Sequence, residues 1–210
     1  AEGHELRVVD DLSSGRLANH LNNHVPHAMQ PWEIEWFVGE YAHAAKQLSE
    51  AGLDGVELHA NHEDLLQLFL SPATNHRDDA WGGDRERRLK FLKDVIAAVR
   101  REARPGDLVG LRFNMDELFE GGYDLEEGIA IARSLEATGT LDWFSGVISN
   151  NWGSPSYIQT HDYGPAQWAP LAGRTIPGPR VALIAMEDHM QPLVIASWLL
   201  ERGHAVELVY

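Results

Sequence analysis

Two histidines and two acidic residues lie close together in the run from His59 to Asp64, which reads HANHED. Imidazole and carboxylate groups at this density can hydrogen-bond a substrate carbonyl, transfer a proton near neutral pH or ligate a metal ion. In an alternative interpretation, one histidine caps a loop and the acidic side chains are simply solvated. His59, His62 and Asp64 are therefore the first candidates for chemistry in this chain.

An arginine and a tryptophan mark two further candidate positions. Arg112 lies in the apolar run LVGLRF, where a buried guanidinium needs an anion or several carbonyl groups as partners. A salt bridge to Asp116 or Glu117 would meet that need without any function. Trp152 follows two asparagines, and its ring could stack on a substrate ring or a cation, or could equally pack as a hydrophobic side chain.

Three histidines near the amino terminus raise the question of a zinc site. His20 and His24 have the i, i+4 spacing of a helix, and His27 follows. The asparagine pair between them and Pro26 disfavour a helix, and no carboxylate follows at a recognisable spacing. We therefore predict no metal site there.

The charge balance excludes several classes of protein. The chain of 210 residues has 17 Lys plus Arg against 32 Asp plus Glu, a net charge of -15 with histidine neutral. Such a chain is repelled by nucleic-acid phosphates and by anionic membranes, and no stretch approaches the length of a membrane span. The absence of cysteine excludes disulfides and a cysteine-ligated 4Fe-4S cluster within this chain. With no apolar signal core or arginine-rich transit pattern at its start, a cytoplasmic protein is expected.

Apolar periodicity predicts the elements that would position these residues. Helices are predicted from Pro31 to about Gly52, around Leu89 to Val99, and from Asp124 to about Leu135. Buried strands are predicted at residues 54–60, 108–113 and 141–149, and loops at residues 1–30 and 61–84. Alternating strands and helices indicate βαβ units around a parallel sheet, and in such sheets reactive groups gather at the carboxyl ends of the strands.

A second βαβ unit is predicted after the proline-rich segment at residues 174–179. Its strands are Val181 to Ala185 and Val206 to Tyr210, with a helix from Gln191 to Glu201 between them. The glycine-rich turn that binds a dinucleotide pyrophosphate is missing after its first strand. We predict two domains, residues 1–175 and 176–210, neither of which reaches the roughly 250 residues of a complete β/α barrel.

The run AGLDGVELHANH, followed by FLSPATNHRDDAWGG, resembles the old yellow enzyme family of NADH:flavin oxidoreductases. Within it, the resemblance is to the branch of the 2,4-dienoyl-CoA reductases and the trimethylamine, dimethylamine and histamine dehydrogenases, and it covers about residues 27–173. The resemblance implies an α/β fold of the FMN-binding (β/α)8 TIM-barrel type, represented here by about strands four to six. Residues 176–210 would then be a Rossmann-like β-α-β remnant of a carboxyl-terminal domain.

The resemblance also implies roles for the candidate residues. His59 and His62 match the pair that orients the substrate carbonyl against the flavin, and Arg112 matches the arginine at the pyrimidine edge of FMN. Trp152 lies where the amine dehydrogenases place an aromatic wall around the substrate. Asp64 occupies the position of the proton-donating tyrosine of the reductases, and an ionised carboxylate is a poor proton donor near neutral pH. An amine or another electron-rich substrate is therefore favoured over an enone.

The sequence thus predicts an FMN-dependent oxidoreductase that transfers a hydride between a small-molecule substrate and flavin N5. NAD(P)H or an electron-transfer protein would be its redox partner, and a homo-oligomer is expected. One alternative is a catalytically inactive fragment that acts only through self-association or a partner chain. A second is a metal-dependent TIM-barrel hydrolase with His59, His62 and Asp64 as ligands.

Overall fold

The computed structural model describes residues 12–14, 26–149, 180–184 and 205–209. Contacts between residues divide the chain into two units, Ala1–Ser154 and Pro155–Tyr210, and each is described by itself. Trp152, the helix expected at residues 191–201 and the expected domain boundary at residue 175 lie outside the described residues. These three points stay predictions.

The first unit is an alternation of strands and helices. Its strands are β1 (Leu12–Ser13), β2 (His27–Ala28), β3 (Gly55–Ala60), β4 (Leu108–Asn114) and β5 (Trp143–Val147), and its helices are α1 (Pro31–Glu50), α2 (Leu65–Leu70), α3 (Arg85–Glu102) and α4 (Leu125–Glu136). Strands β3, β4 and β5 form one parallel sheet in that order, and β1 pairs with β2. The prediction of a parallel sheet with intervening helices is confirmed for these residues.

The helices begin and end where local chemistry requires it. Pro31 opens α1, where its missing N–H is not needed, and Gly52 follows the helix with a left-handed φ of 87°. The Asp124 carboxylate accepts a hydrogen bond of 3.0 Å from the Glu127 N–H and so caps α4. These caps explain why the predicted starts of α1 and α4 agree with the structure.

Alternate residues of the sheet point to a buried apolar face. Leu58, Val109, Leu111 and Phe113 are at most 6% exposed and belong to the core. Helix α4 approaches this sheet closely at Gly128, where an added Cβ would lie 2.0 Å from the Met115 carbonyl oxygen. The helices therefore cover one face of the sheet, and the side chains of the other face are available for a site.

Two predicted loops contain regular structure. Helix α2 lies within residues 61–84, and β1 and β2 lie within residues 1–30. The six residues of α2 read LLQLFL, too short a run for an apolar helical period to be visible. Strands of two residues carry no pattern of their own, because their pairing depends on segments brought together by the fold.

In the second unit, β6 (Arg180–Ile184) and β7 (Ala205–Val209) pair in parallel, with Arg180 opposite Ala205. This pairing agrees with the two strands predicted there. In the part of the chain that the structure describes, no helix is both long enough and apolar enough to cross a lipid bilayer.

Candidate active site

The register of the sheet brings polar side chains of three strands onto its open face. Glu57 of β3 lies opposite Gly110 of β4, which lies opposite Trp143 of β5. The next row toward the carboxyl ends contains His59, Arg112 and Ser145. Because register partners in a parallel sheet point to the same side, the two rows form one continuous polar surface.

Glu57 connects the first row to the second. Its Oε2 accepts a hydrogen bond of 3.1 Å from the Trp143 indole N–H, and its Oε1 lies 2.9 Å from Arg112 Nε. The indole can cross the central strand because position 110 has no side chain: a Cβ there would lie 2.0 Å from Trp143 Cε2. The arginine is thus held by a carboxylate on its own face of the sheet.

The contact between Glu57 and Arg112 is an ion pair without hydrogen-bond geometry. Arg112 Nε is buried and makes no hydrogen bond with the described residues. Asn61, at the end of β3, is fully buried, and neither atom of its amide has a hydrogen-bond partner among those residues. Buried polar atoms without a hydrogen-bond partner are rare, and leaving one unsatisfied costs about 1–3 kcal/mol. Two such groups therefore lie near the carboxyl ends of neighbouring strands.

The predicted histidine and acid cluster forms at the carboxyl end of β3. His59 Nε2 lies 3.1 Å from Asp64 Oδ2, and the side chains are 43% and 64% exposed. The His59 and His62 ring centroids are 5.2 Å apart, with the rings tilted at 56°. Asp64 precedes α2, but its carboxylate forms no capping hydrogen bond there and contacts His59 instead. The three residues are therefore adjacent and open to a ligand.

A strained turn presents His62 and Asp64. His62 and Glu63 have φ angles of 56° and 63°, in the left-handed region that residues with a Cβ avoid at about 1–2 kcal/mol each. Partial burial lowers the pKa of His62, and the neighbouring His59 and Arg112 lower it further, while Asp64 opposes them. The geometry and charges around His62 thus favour the neutral imidazole, which can both donate and accept a hydrogen bond.

A buried carboxylate lies behind this turn. Glu117 follows β4 and is 1% exposed. Its Oε1 accepts from Gln67 Nε2 at 2.9 Å, and its Oε2 accepts from the Ser71 hydroxyl at 2.7 Å and the Tyr123 N–H at 2.9 Å. Burial raises the pKa of Glu117, and the hydrogen bonds from Ser71, Tyr123 and Gln67 oppose that rise. Glu117 thereby joins α2 to the loop after β4.

Hydrogen bonds also join the ends of β4 and β5. The Asn114 amide donates to the Ser149 carbonyl at 2.6 Å, and the Tyr123 hydroxyl donates to the Asn114 carbonyl at 2.6 Å. The loop after β4 is therefore tied to the end of β4, which is itself tied to the segment after β5, and these bonds hold the ends of the two strands together.

The structure brings together four of the five residues predicted from the sequence. His59, His62, Asp64 and Arg112 share the open face and its carboxyl edge, and Trp152 lies outside the described residues. The alternative partners considered for Arg112 were wrong, because the arginine pairs with Glu57. The sequence reasoning missed Glu57, although its position two residues before His59 places both side chains on the same face of β3.

The other positions considered from the sequence bring fewer reactive side chains together. His27 Nε2 lies 3.0 Å from both Glu33 carboxylate oxygens, and no group of three potential metal ligands occurs among the described residues. An open cleft of about 520 Å³ lies at the amino-terminal ends of the strands. The cleft is lined by Gly52, Leu53, Asp54, Gly55, Leu108 and Trp143. It contains none of the predicted site residues, which lie toward the carboxyl ends of the strands.

Comparison with known proteins places this arrangement in a family. N,N-dimethylglycine/sarcosine dehydrogenase of Chromohalobacter salexigens is 35% identical over 181 residues, which cover 84% of this chain and 26% of that protein. The probable N-methylproline demethylase of Rhizobium meliloti is 37% identical over 122 residues, which cover 57% of this chain and 18% of that protein. The chain thus spans about a quarter or less of the length of these relatives.

Solved structures support the same assignment. The 2-naphthoyl-CoA reductase in complex with 2-naphthoyl-CoA matches with a TM-score of 0.81 and 29% identity, over 95% of this chain and 30% of that chain. The old yellow enzyme homologue from Zymomonas mobilis shares the fold, with a TM-score of 0.68 at 20% identity, over 94% and 56% of the two chains. The family model described as NADH:flavin oxidoreductase / NADH oxidase matches residues 8–151. The chain, with its polar strand ends on a parallel sheet, belongs to the NADH:flavin oxidoreductase / NADH oxidase family.

Proposed function

We propose that this chain is the substrate-side part of an FMN-dependent oxidoreductase that oxidises an N-methylated amine. The observation that carries the proposal is the adjacency of His59, His62 and Asp64 to Arg112 at the carboxyl ends of β3 and β4. In this proposal β3, β4 and β5 correspond to about strands four to six of a TIM barrel. Family membership favours this function over a metal-dependent hydrolase.

The residues present fit the ring of a flavin. Arg112 is one third exposed on the open face, and beyond its ion pair with Glu57 it has no hydrogen-bond partner among the described residues. A guanidinium with free donors suits the carbonyl and nitrogen acceptors of the pyrimidine edge. When bound, FMN supplies the two-electron acceptor for a hydride from the substrate. Arg112 would then stabilise negative charge on the reduced ring.

The histidines and Asp64 would act on the substrate. His59 and His62 lie side by side and orient the group to be oxidised by hydrogen bonds. The Asp64 carboxylate attracts a cationic amine and accepts the proton that the nitrogen must lose before its methyl C–H bond gives up a hydride. The oxidised carbon and nitrogen form an iminium ion, which water hydrolyses.

The substrate class rests on charge and on the relatives. Two proteins to which this chain is similar are named for N-methylproline demethylation and for dimethylglycine and sarcosine dehydrogenation. An exposed carboxylate at position 64 suits such amines, because it offers a negative charge rather than a hydroxyl proton. We place Trp152 beside the substrate, and NAD(P)H or an electron-transfer protein as the redox partner. The cytoplasmic location and the homo-oligomer remain predictions.

An absorption spectrum from about 300 to 600 nm tests flavin binding directly. The purified chain should retain added FMN through desalting and shift its spectrum. Arg112→Met should weaken FMN binding by about tenfold or more, since a hydrogen bond to a charged group contributes about 1.5–3 kcal/mol. Arg133→Met, which removes the same charge from an exposed position of α4, is the matched control. A colourless protein that releases all FMN would favour the inactive-fragment alternative.

The substrate class has its own test in the flavin-loaded protein. Sarcosine or N-methylproline, added in the absence of oxygen, should bleach the flavin. Reduction of an enone with NADPH as the electron donor should be slow. Asp64→Asn should slow bleaching by about 100-fold, the lower range of a general acid-base contribution. Asp78→Asn, at an exposed position, should not slow it. Equal rates for the two variants would reject the role of Asp64.

A further inference from the structure

We propose that Gln67, oriented by Glu117, is a positioning residue that holds the turn at His62 and Glu63 and thereby sets His62 against His59. The catalytic meaning of this role rests on the function proposed above. The geometry of the support does not, because it involves only residues of this chain.

The backbone at the turn requires support. His62 and Glu63 are two consecutive non-glycine residues in the left-handed region, one residue after the end of β3. Such a conformation persists only where surrounding contacts hold it, and it is concentrated at functional sites. The side chain of Gln67 provides such a contact, because its Oε1 accepts a hydrogen bond of 2.9 Å from the Glu63 N–H.

The other end of the Gln67 amide is fixed by Glu117. Gln67 Nε2 donates to Glu117 Oε1, while the Ser71 hydroxyl and the Tyr123 N–H donate to Oε2. Donors therefore occupy both carboxylate oxygens, which suits the ionised form that only accepts hydrogen bonds. Gln67 must direct its NH2 group toward this carboxylate, so its carbonyl faces the Glu63 N–H. The orientation of the Gln67 amide is thus determined by the carboxylate of Glu117, which lies in the loop after β4.

The burial of Gln67 indicates that its amide serves the contacts with Glu63 and Glu117. Gln67 is 1% exposed on α2, between Leu66 at 0% and the core residue Phe69 at 0%. A leucine would fill similar space without the need for polar partners. The glutamine instead joins the loop after β4 to the end of β3 through one side chain. Through the Gln67 side chain, a displacement of α2 would therefore also move the turn that contains His62 and Glu63 and leads to Asp64.

Gln67→Leu tests the support in the flavin-free chain. Proton exchange of the Glu63 amide, followed by NMR, should accelerate by about tenfold or more, since the hydrogen bond that protects it is removed. The pKa of His62, read from its ring proton shifts, should rise toward its ordinary value of 6.5, because release of the turn reduces the burial that lowers it. His59 and Arg112, which lower that pKa, and Asp64, which raises it, are unchanged in the variant.

Thr74→Val is the matched control. The Thr74 hydroxyl contacts the Leu68 carbonyl at 2.7 Å and the Ser71 carbonyl at 3.4 Å, so the variant also removes buried side-chain hydrogen bonding at the end of α2, away from the turn. It should leave the Glu63 amide and the His62 titration unchanged. An equal effect of both variants would mean general loosening of α2 and would overturn the proposal, as would unchanged values in a folded Gln67→Leu protein.

Gln67→Met provides a second variant should Gln67→Leu fail to fold. Methionine keeps the unbranched shape and about the length of glutamine at this buried position of α2, but it has no amide to contact the Glu63 N–H or Glu117. Faster exchange at Glu63 is expected, and unchanged exchange overturns the proposal. Because no flavin is present, failure of FMN binding would not affect either result.

Discussion

Gly110→Ala should displace the Trp143 ring and disturb the open face of the sheet. An alanine Cβ at position 110 would lie 2.0 Å from Trp143 Cε2 and 2.2 Å from Cζ2. Ordinary contacts begin at 3.4 Å, so the indole must move by about 1.4 Å. Such a shift would stretch the hydrogen bond of 3.1 Å to Glu57 beyond its normal range. The Arg112 ion pair would then lose the group that orients its carboxylate.

The expected magnitude follows from overpacking. Inserting a methyl group into a filled space commonly costs about 1–3 kcal/mol. Where there is room for the methyl group, replacing glycine by alanine stabilises the fold by about 0.4–1 kcal/mol, because it restricts the unfolded chain. The free energy of unfolding should therefore fall by about 1–3 kcal/mol in the Trp143 background. With Trp143→Ala, the same substitution should be neutral or stabilising, which gives a coupling energy of about 1–4 kcal/mol.

Urea unfolding of the four proteins in this cycle, followed by far-UV circular dichroism, measures the coupling. Gly146→Ala is the matched control on β5, because its Cβ would meet only the flexible Met115 side chain at 3.2 Å. We expect a change within about 0.5 kcal/mol for the control. The same loss for Gly110→Ala with and without Trp143 would refute the steric argument.

Two further predictions concern stability. The Arg104 guanidinium, followed by the Ser49 hydroxyl, lowers the pKa of Asp107 from 3.8 to about 2, so the stabilisation is complete above about pH 4 and is lost as the pH falls through 2. Urea midpoints between pH 5 and pH 2 should therefore decrease less in Asp107→Asn than in the parent chain, and parallel curves would contradict this assignment. Phe91→Ala should lower the free energy of unfolding by about 3–5 kcal/mol in the same urea assay, because the ring is 0% exposed in the core. A loss below about 1 kcal/mol would show that the site collapses around the smaller side chain.

Local sequence patterns predicted most of the helices and strands, but they did not predict which side chains on neighbouring strands would contact each other. The start of α1 at Pro31 and the start of α4 after Asp124 follow from caps that involve neighbouring residues. Helix α2 was missed because its six residues are held by Glu117 through Gln67 and Ser71, and these contacts are distant in sequence. A short helix stabilised by tertiary contacts leaves little periodic trace.

The same difference between local and long-range contacts explains which site residues could be predicted. His59, His62 and Asp64 were found because they follow one strand. The partner of Arg112 was assigned wrongly because Asp116 and Glu117 are near in sequence but are used elsewhere. Asp116 accepts from the Leu118 N–H at 2.9 Å, and the Glu117 carboxylate is buried. Choosing Glu57 instead requires knowing which residues share a face of neighbouring strands, and this is set by sheet register.

The charges at the strand ends bear on the choice of substrate. Apart from the histidines, the described residues of the open face and its turn carry one positive charge, on Arg112, and three negative charges, on Glu57, Glu63 and Asp64. Glu57 contacts the arginine directly, so the negative charge beyond them comes from Glu63 and Asp64, with the buried Glu117 carboxylate behind the turn. Since Asp64 is 64% exposed, salt should screen its attraction for a cation over about 8 Å at physiological ionic strength. A cationic amine gains from this field and a neutral enone does not. Binding of the true substrate should therefore weaken as salt is raised, and binding that is insensitive to salt would favour a neutral ligand.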